Sequence, residues 1–331
     1  MPQTDAEVLV IGAGVIGLTT AICLAEAGVS VTVAAAEPPQ QTTSAVAGAL
    51  WGPHLVGKDE RIMRWAAVTL DRLAELRAPE LGANALEGIV RTACGIAATA
   101  TAGDEPPEFA AEGNVTPCEP GEIPAGYRSG WRLTAPLIAM PEYLDYLEQR
   151  FGRASGSSAF PCRFATLADA RDFAPGAGVI VNCTGFGARD LVPDPQVEAV
   201  RGQAVAVRNP GIREFFVGTG AVGWPLTYLF PHRDIVVLGG TEEHGNVSRE
   251  PDLATAERII AACAAIRPEL RDAAVVGQRV GLRPTRPRVR LETEQHGAVT
   301  IVHSYGHGGA GVTLSWGCAE DTTQLVLTLL G

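Results

Sequence analysis

The chain has 331 residues, 46% of them hydrophobic and 19% charged, which is a globular composition able to bury a substantial core in one or two domains. With 26 basic against 37 acidic side chains the formal net charge is −11, which argues against a general nucleic-acid or membrane-surface role and leaves only a local positive pocket open. No uninterrupted apolar run of about 18 residues offers a membrane span, and seven scattered cysteines without CxxC spacing read as buried free thiols in a reducing compartment.

MPQTDAE leads directly into an apolar run, without a basic leader, so no signal peptide is expected. In VLVIGAGVIGLTTAICLAEAGVSVTVA, Val8 to Ile11 read as a buried strand and Gly12 to Gly17 as a glycine-rich turn. Leu18 to Ala27 then read as a helix that Gly28 ends before a second strand, Val29 to Ala34. DERIMRWAAVTLDRLAEL carries Ile62, Trp65, Ala66, Leu70 and Leu73 near helical spacing. From Thr92 to Pro124 periodicity is weak, which predicts loops and short strands. PEYLDYLEQRF resumes a helix with Pro141 at its start. AGVIVNCTG reads as a buried strand entering a glycine turn. GQAVAVR and YLFPHRDIVVLGG read as strands, the second a hairpin turning over Pro231 to Asp234. A helix is expected over Ala254 to Ile266, then the strand AVTIVHSYG, a glycine cluster at Gly306 to Gly311, and a helix through Cys318 to Leu330.

Gly12-Ala13-Gly14-Val15-Ile16-Gly17 matches G-x-G-x-x-G between a strand and a helix. The first glycine permits the tight turn, the second a close approach of pyrophosphate, and the third close packing of helix on strand. The motif alone does not separate FAD from NAD. Ala36 and Glu37 end the second strand region, and Glu37, 20 residues beyond Gly17, is the candidate ribose ligand against a solvated glutamate. In QTTSAVAGALWGP, Thr42, Thr43 and Ser44 can donate to phosphate or ribose oxygens, while Ala47, Gly48, Ala49 and Leu50 leave room for a flat cofactor. YGHGGAGVTLSWG reads as a glycine nest before the N-terminus of the last helix, near Thr313, which aims donors at an electron-rich edge such as a flavin pyrimidine. His307 is read as a structural hydrogen-bonding residue rather than a contact of the ring. The six histidines are dispersed, and no metal site is expected.

The blocks IGAGVIGL, AGALWGP, SGWRLT, VIVNCTG, VLGG, GLRPTRPRVRLE and YGHGGAGVTLSWG, in this order, resemble the D-amino-acid oxidase family, which also contains D-aspartate oxidases. The resemblance spans essentially the whole chain. It implies an α/β fold with a Rossmann-like FAD-binding domain and an inserted antiparallel-sheet α+β substrate domain. The expected boundaries are 1–85, 141–192 and 281–331 for the first, and 86–140 and 193–280 for the second. It also implies FAD as cofactor and oxidation of a D-amino acid by O₂ to an imino acid, with hydrogen peroxide released. On this resemblance Arg283 clamps the substrate α-carboxylate, Tyr228 donates to the same group, and the Gly309 carbonyl accepts from the amine. Gly308, Gly309, Ala310, Gly311, Val312 and Thr313 take the place of the flavin-binding segment, and Phe164 contacts the cofactor through its backbone. Ala36 and Glu37 depart from the Asp-Arg of many relatives, and Trp224 stands where relatives carry a lid tyrosine.

A neutral side-chain preference is expected, with D-aspartate oxidase as the rival. Arg288 or His54 is a candidate to meet an acidic side chain, and Gly52 and His54 replace larger or hydrogen-bonding residues. A flavin-binding protein without turnover is the alternative from another class. Arg286 is read as structural or solvent-exposed, and Arg288 and Arg290 as ion-pairing with Glu292 and Glu294. The expected partners are the D-amino acid and O₂, with no nucleic acid and no membrane; monomer and homodimer are both open. The terminal TLLG lacks an S-K-L-type peroxisomal signal, so the expected location is cytoplasmic.

Overall fold

The computed structural model describes residues 7–57, 59–77, 88–101, 103, 106, 115–154, 156–221, 224–297 and 299–331, with backbone alone for 224 and 225. Strand β1 (Val8–Ile11) is fully buried, helix α1 (Val15–Glu26) follows, and β2 (Val31–Ala34) pairs parallel to β1. Helix α1 therefore begins two residues before the last glycine of the fingerprint, and Gly17 lies within it. A Cβ at Gly17 would collide with the Gly12 carbonyl, so this glycine lets the first helical turn close onto the strand end. Helix α1 is apolar almost all round because it is enclosed, with the sheet on one side and the last helix on the other.

Next come α2 (Arg61–Glu75), β3 (Val90–Thr99), β4 (Thr116–Pro117), β5 (Ser129–Ile138), α3 (Met140–Arg153), β6 (Ser157–Ala159), α4 (Leu167–Phe173), β7 (Val179–Asn182) and α5 (Ala188–Leu191). The second half holds β8 (Glu198–Arg208), β9 (Phe215–Ala221), β10 (Trp224–Pro231), β11 (Ile235–Gly239), β12 (Glu243–His244), α6 (Leu253–Ile266), β13 (Val275–His296), β14 (Val299–His307) and α7 (Gly311–Leu330). The Thr92–Pro124 region departs from its weak sequence pattern, because β3 is a ten-residue strand paired along its whole length with β5. Its alanines and glycine carry little periodicity yet pack closely; a Cβ at Gly95 would strike the Phe215 ring.

Among the described residues the strands join in one continuous path, β4-β5-β3-β9-β10-β11-β8-β13-β14-β7-β1-β2-β6, with β12 beside β8. The run β6-β2-β1-β7-β14 is wholly parallel and has helices on its faces, which makes a Rossmann-like region. The other run is mainly antiparallel, with β3 and β9 parallel, and forms the inserted sheet-rich region. Strand β13 joins the two. Its 22 residues pair first with β8 and then with β14, with a register shift between Thr285 and Arg290. Pro284 and Pro287 sit near that shift, where a missing N–H is tolerated.

No described helix is long and apolar enough to cross a membrane. All seven cysteines are free.

Candidate active site

A cavity of about 1110 Å³ runs from the N-terminus of α1 to the face of β10, β8 and β13. That exceeds the roughly 300–1,000 Å³ usual for one small ligand and suits a long cofactor with a small second molecule. Every residue assigned to the cofactor, the α-carboxylate or the amine lines it except Gly17 and Ala310. Gly17 packs helix to strand, and Ala310 is fully buried at the start of α7.

At the cofactor end, Gly12 has φ +116°, and a Cβ there would meet the Cys183 carbonyl carbon at 2.8 Å. Ser44 Oγ accepts from the Val15 N–H at 3.0 Å, which places at the start of α1 a hydroxyl whose own proton has no acceptor among the described residues. The two threonines differ from the expectation for them. Thr42 Oγ1 donates to Pro39 O at 2.7 Å and Thr43 Oγ1 to Leu282 O at 3.2 Å, so their protons already serve main-chain carbonyls. Glu37 lines the cavity and forms an ion pair with Arg249 at 2.6 Å, so it is not simply solvated. Thr313 Oγ1 exchanges hydrogen bonds with the main chain of Gly52, accepting from its N–H and donating to its carbonyl, each at 3.1 Å.

His307 lines the cavity, but its Nε2 is buried without a hydrogen-bond partner among the described residues, so the structural bond expected of it is not made there. Burial pushes its pKa down to about 3, so the imidazole is neutral. The N-terminus of α7 carries no side-chain cap. The glycine cradle at α1, the orphaned Nε2 and the uncapped α7 end are together what a flavin dinucleotide would fill, and the residues present fit FAD.

At the substrate end, Tyr228, Phe230 and Arg283 share one face of the sheet. The Tyr228 and Phe230 rings stack with centroids 4.5 Å apart at 12°, an arrangement worth about 0.5–1.5 kcal/mol beyond its burial. The Tyr228 ring lies over Gly239 and Gly240, where a Cβ at Gly240 would reach its Cε1 at 2.6 Å. Burial raises the Tyr228 phenol pKa and Arg283 opposes the rise, leaving a protonated donor.

Arg283 lies over Gly202, where a Cβ would sit 2.6 Å from its Cζ. Its Nη1 donates to Thr241 O at 2.8 Å, and among the described residues no carboxylate lies within ion-pair distance of it. A guanidinium seated on a carbonyl and facing a cavity has its remaining N–H donors free for a planar anion. Gly309 stands beside it; a Cβ there would meet Arg283 Cδ at 3.5 Å and His54 Cδ2 at 2.8 Å.

The remaining arginines of β13 hold the wall. Arg286 Nε donates to buried Asp194 at 3.1 Å, and Asp194 also accepts from Tyr305 Oη at 2.8 Å. Arg290 pairs with Glu292 at 2.7 Å and Glu294 at 2.6 Å. Arg288 is exposed and does not line the cavity, and His54 pairs with Glu242 at 3.3 Å, so neither is a free cation awaiting an acidic substrate side chain.

Several features escaped sequence reasoning. Gly202, Gly239 and Gly240 make room for the Arg283 and Tyr228 side chains but look like ordinary strand glycines. Glu242 lies 188 positions from His54 in the chain, so no local spacing marks the pair. Of the lid expected around Trp224, the strand backbone is described, with Trp224 paired to Ala221; residues 222 and 223 lie outside the described residues. Among the described residues no group of three or more His, Cys, Asp or Glu is placed to hold a metal ion.

The fold and this cavity define a dinucleotide-binding protein whose second pocket holds an arginine and a tyrosine on one sheet face. The chain matches the family model of DAO, FAD dependent oxidoreductase, over residues 7–325. It is 43% identical over 325 residues to a D-amino-acid oxidase of Rubrobacter xylanophilus, covering 97% of this chain and 95% of that one. It is 32% identical over 335 residues to a D-aspartate oxidase of Homo sapiens, covering 97% and 94%. The glycine oxidase structure from Geobacillus kaustophilus superposes with a TM-score of 0.81 at 17% identity, covering 98% of this chain and 95% of that one, a likeness of fold. The chain belongs to the DAO family of FAD-dependent oxidoreductases.

Proposed function

We propose that the chain is a D-amino-acid oxidase favouring neutral side chains, which converts a D-amino acid and O₂ to an imino acid and hydrogen peroxide. Water then turns the imino acid into a 2-oxo acid and ammonia. The observation that carries this reading is Arg283, a cavity-facing guanidinium seated on the Thr241 carbonyl with no carboxylate of its own among the described residues. FAD, when bound, accepts the two electrons and the hydrogen that leave Cα.

Arg283 and the phenol of Tyr228 hold the α-carboxylate, and the Gly309 carbonyl accepts from the amine. With two substituents fixed, the hand of the substrate decides whether hydrogen or side chain faces the cofactor end of the cavity, which gives D over L selection. The lone pair of the neutral amine drives hydrogen from Cα, so the chemistry asks the protein for orientation and water exclusion rather than a strong base. The relatives named D-amino-acid oxidase, at 43% and 42% identity, favour this reading over a D-aspartate oxidase at 32%.

The test is a panel of D-amino acids with the FAD-loaded protein in air, following oxygen uptake, peroxide and 2-oxo acid. Equal yields of peroxide and 2-oxo acid from neutral D-amino acids are expected. Absence of oxygen uptake, peroxide and 2-oxo acid across the panel contradicts the reading.

A further inference from the structure

A histidine–glutamate pair that the chemistry above does not use stands beside Arg283. His54 lies in the loop after Leu50, and Glu242 in the turn between β11 and β12; His54 Nε2 and Glu242 Oε1 are 3.3 Å apart. Both are only partly exposed, at 37% and 20% of their side chains. Glu242 adjoins Thr241, whose carbonyl seats the Arg283 guanidinium at 2.8 Å. The His54 ring in turn packs against Gly309, within 2.8 Å of where a Cβ would stand. Arg283, Gly309 and His54 therefore line one end of the cavity, and Glu242 stands directly behind His54.

The Glu242 carboxyl is held below the ordinary carboxylate range, first by the His54 ring nitrogen 3.3 Å away, against the effect of burial, and further by Arg283 and His244. It is ionised at neutral pH. Neighbouring charges are already matched, Glu243 by Arg201 at 2.6 Å and Glu37 by Arg249 at 2.6 Å. Arg279 reaches Tyr228 electrostatically but does not line the cavity. A second carboxylate brought in with the substrate thus approaches the charge of Glu242 across His54, while the other lining arginines, Arg163 and Arg249, lie with Phe164 and Glu37 toward the cofactor end.

We propose that Glu242, positioned by His54, is a specificity-determining residue that rejects a second carboxylate, so that the pocket takes D-amino acids with neutral or cationic side chains and discriminates against D-aspartate and D-glutamate. The inference rests on the oxidase reading for its substrate arm. Like charges a few ångströms apart at a half-buried site repel enough to shift such a preference about tenfold.

The experiment compares FAD-loaded wild type, Glu242→Gln, which keeps an acceptor for His54 and removes the charge, and Glu242→Asp, which keeps the charge. One arm measures the ratio of kcat/KM for D-aspartate to that for D-alanine. A second needs no turnover: the dissociation constants of propionate and succinate, read from perturbation of the visible flavin absorbance at neutral pH. Glu242→Gln is expected to raise the D-aspartate ratio about tenfold, chiefly through KM, and to tighten succinate relative to propionate by a similar factor. Glu242→Asp is expected to stay near wild type in both. Unchanged ratios in Glu242→Gln, a fall in the D-aspartate ratio, or equal changes in both variants overturns the proposal. So does a wild-type protein that takes D-aspartate as readily as D-alanine, which keeps the test decisive if a variant does not fold. If no D-amino acid is oxidised the functional reading fails, while the propionate and succinate arm still judges the pair.

Discussion

In the proposed oxidase, Arg283 and Tyr228 divide the work of holding a carboxylate unequally. Arginine supplies the charge and the fork of donors, so Arg283→Ala is expected to lower kcat/KM by roughly a hundredfold or more while FAD stays bound. Flavin retention is read from visible absorbance, and loss of all flavin from folded protein would contradict the assigned role. Tyr228→Phe removes one neutral hydrogen bond, about 1 kcal/mol, and should cost less than about tenfold in kcat/KM. Gly202→Ala places a Cβ 2.6 Å from Arg283 Cζ and so moves the fork. Steady-state kinetics should show it weakening every carboxylate substrate alike, by up to about a hundredfold.

His307 adds a pH signature to the folded state. Its folded pKa, about 3, lies below the unfolded value near 6.5, so the unfolded chain binds the extra proton between those limits. The stability it contributes is complete above about pH 6.5 and is lost as pH falls toward 3, with a slope of at most about 1.4 kcal/mol per pH unit. His232, pushed down to about 4 by burial, acts in the same direction. Denaturant unfolding of the FAD-free protein from pH 7 to pH 5 should show falling stability, and His307→Gln should flatten the slope. An unaltered slope in that variant would remove His307 from the account.

At the scale of elements, the long strand β13 explains the cluster of arginines. Arg283 faces the cavity, whereas Arg286 and Arg290 brace the wall through Asp194, Glu292 and Glu294. Burial alone would raise the Asp194 carboxyl pKa, but Tyr305, the Gln196 N–H and Arg286 outweigh it and hold it below the ordinary range. Asp194→Asn leaves Arg286 without its counter-charge and is expected to cost about 3 kcal/mol in denaturant unfolding, with little change in the D-alanine KM of the protein that remains folded. The strand–turn–helix around Gly12 and the final strand and helix were legible in sequence because their signals are local: a buried β-branched run, glycines at fixed offsets and helical periodicity. The full length of β13 was not, because Pro284 and Pro287 read as interruptions, and only the pairing with β8 and β14 reveals one strand. The ten-residue β3 was hidden for a related reason, since its alanines pack across strands and not along a local pattern. Arg283 and Tyr228 were reached through family resemblance, whereas their glycine seats and the His54–Glu242 pair depend on contacts between distant segments.

For the whole molecule, the parallel and antiparallel regions meet along β13, and the cavity is lined from both sides of that seam. A cofactor bound there stabilises the native chain by mass action, by about 2.7 kcal/mol at a hundredfold excess of FAD over its Kd. Thermal unfolding should therefore shift upward with FAD concentration. Gly12→Ala, which forces a Cβ against Cys183 at φ +116°, should abolish that shift. The central claim is that this cavity presents the hydrogen of a D-amino acid to bound FAD, and anaerobic mixing of the yellow, FAD-loaded protein with D-alanine and, separately, L-alanine tests it most directly. The account predicts rapid bleaching of oxidised-flavin absorbance with D-alanine and none with L-alanine. Persistent absorbance with D-alanine and a panel of other D-amino acids, or equal bleaching by both enantiomers, would contradict it.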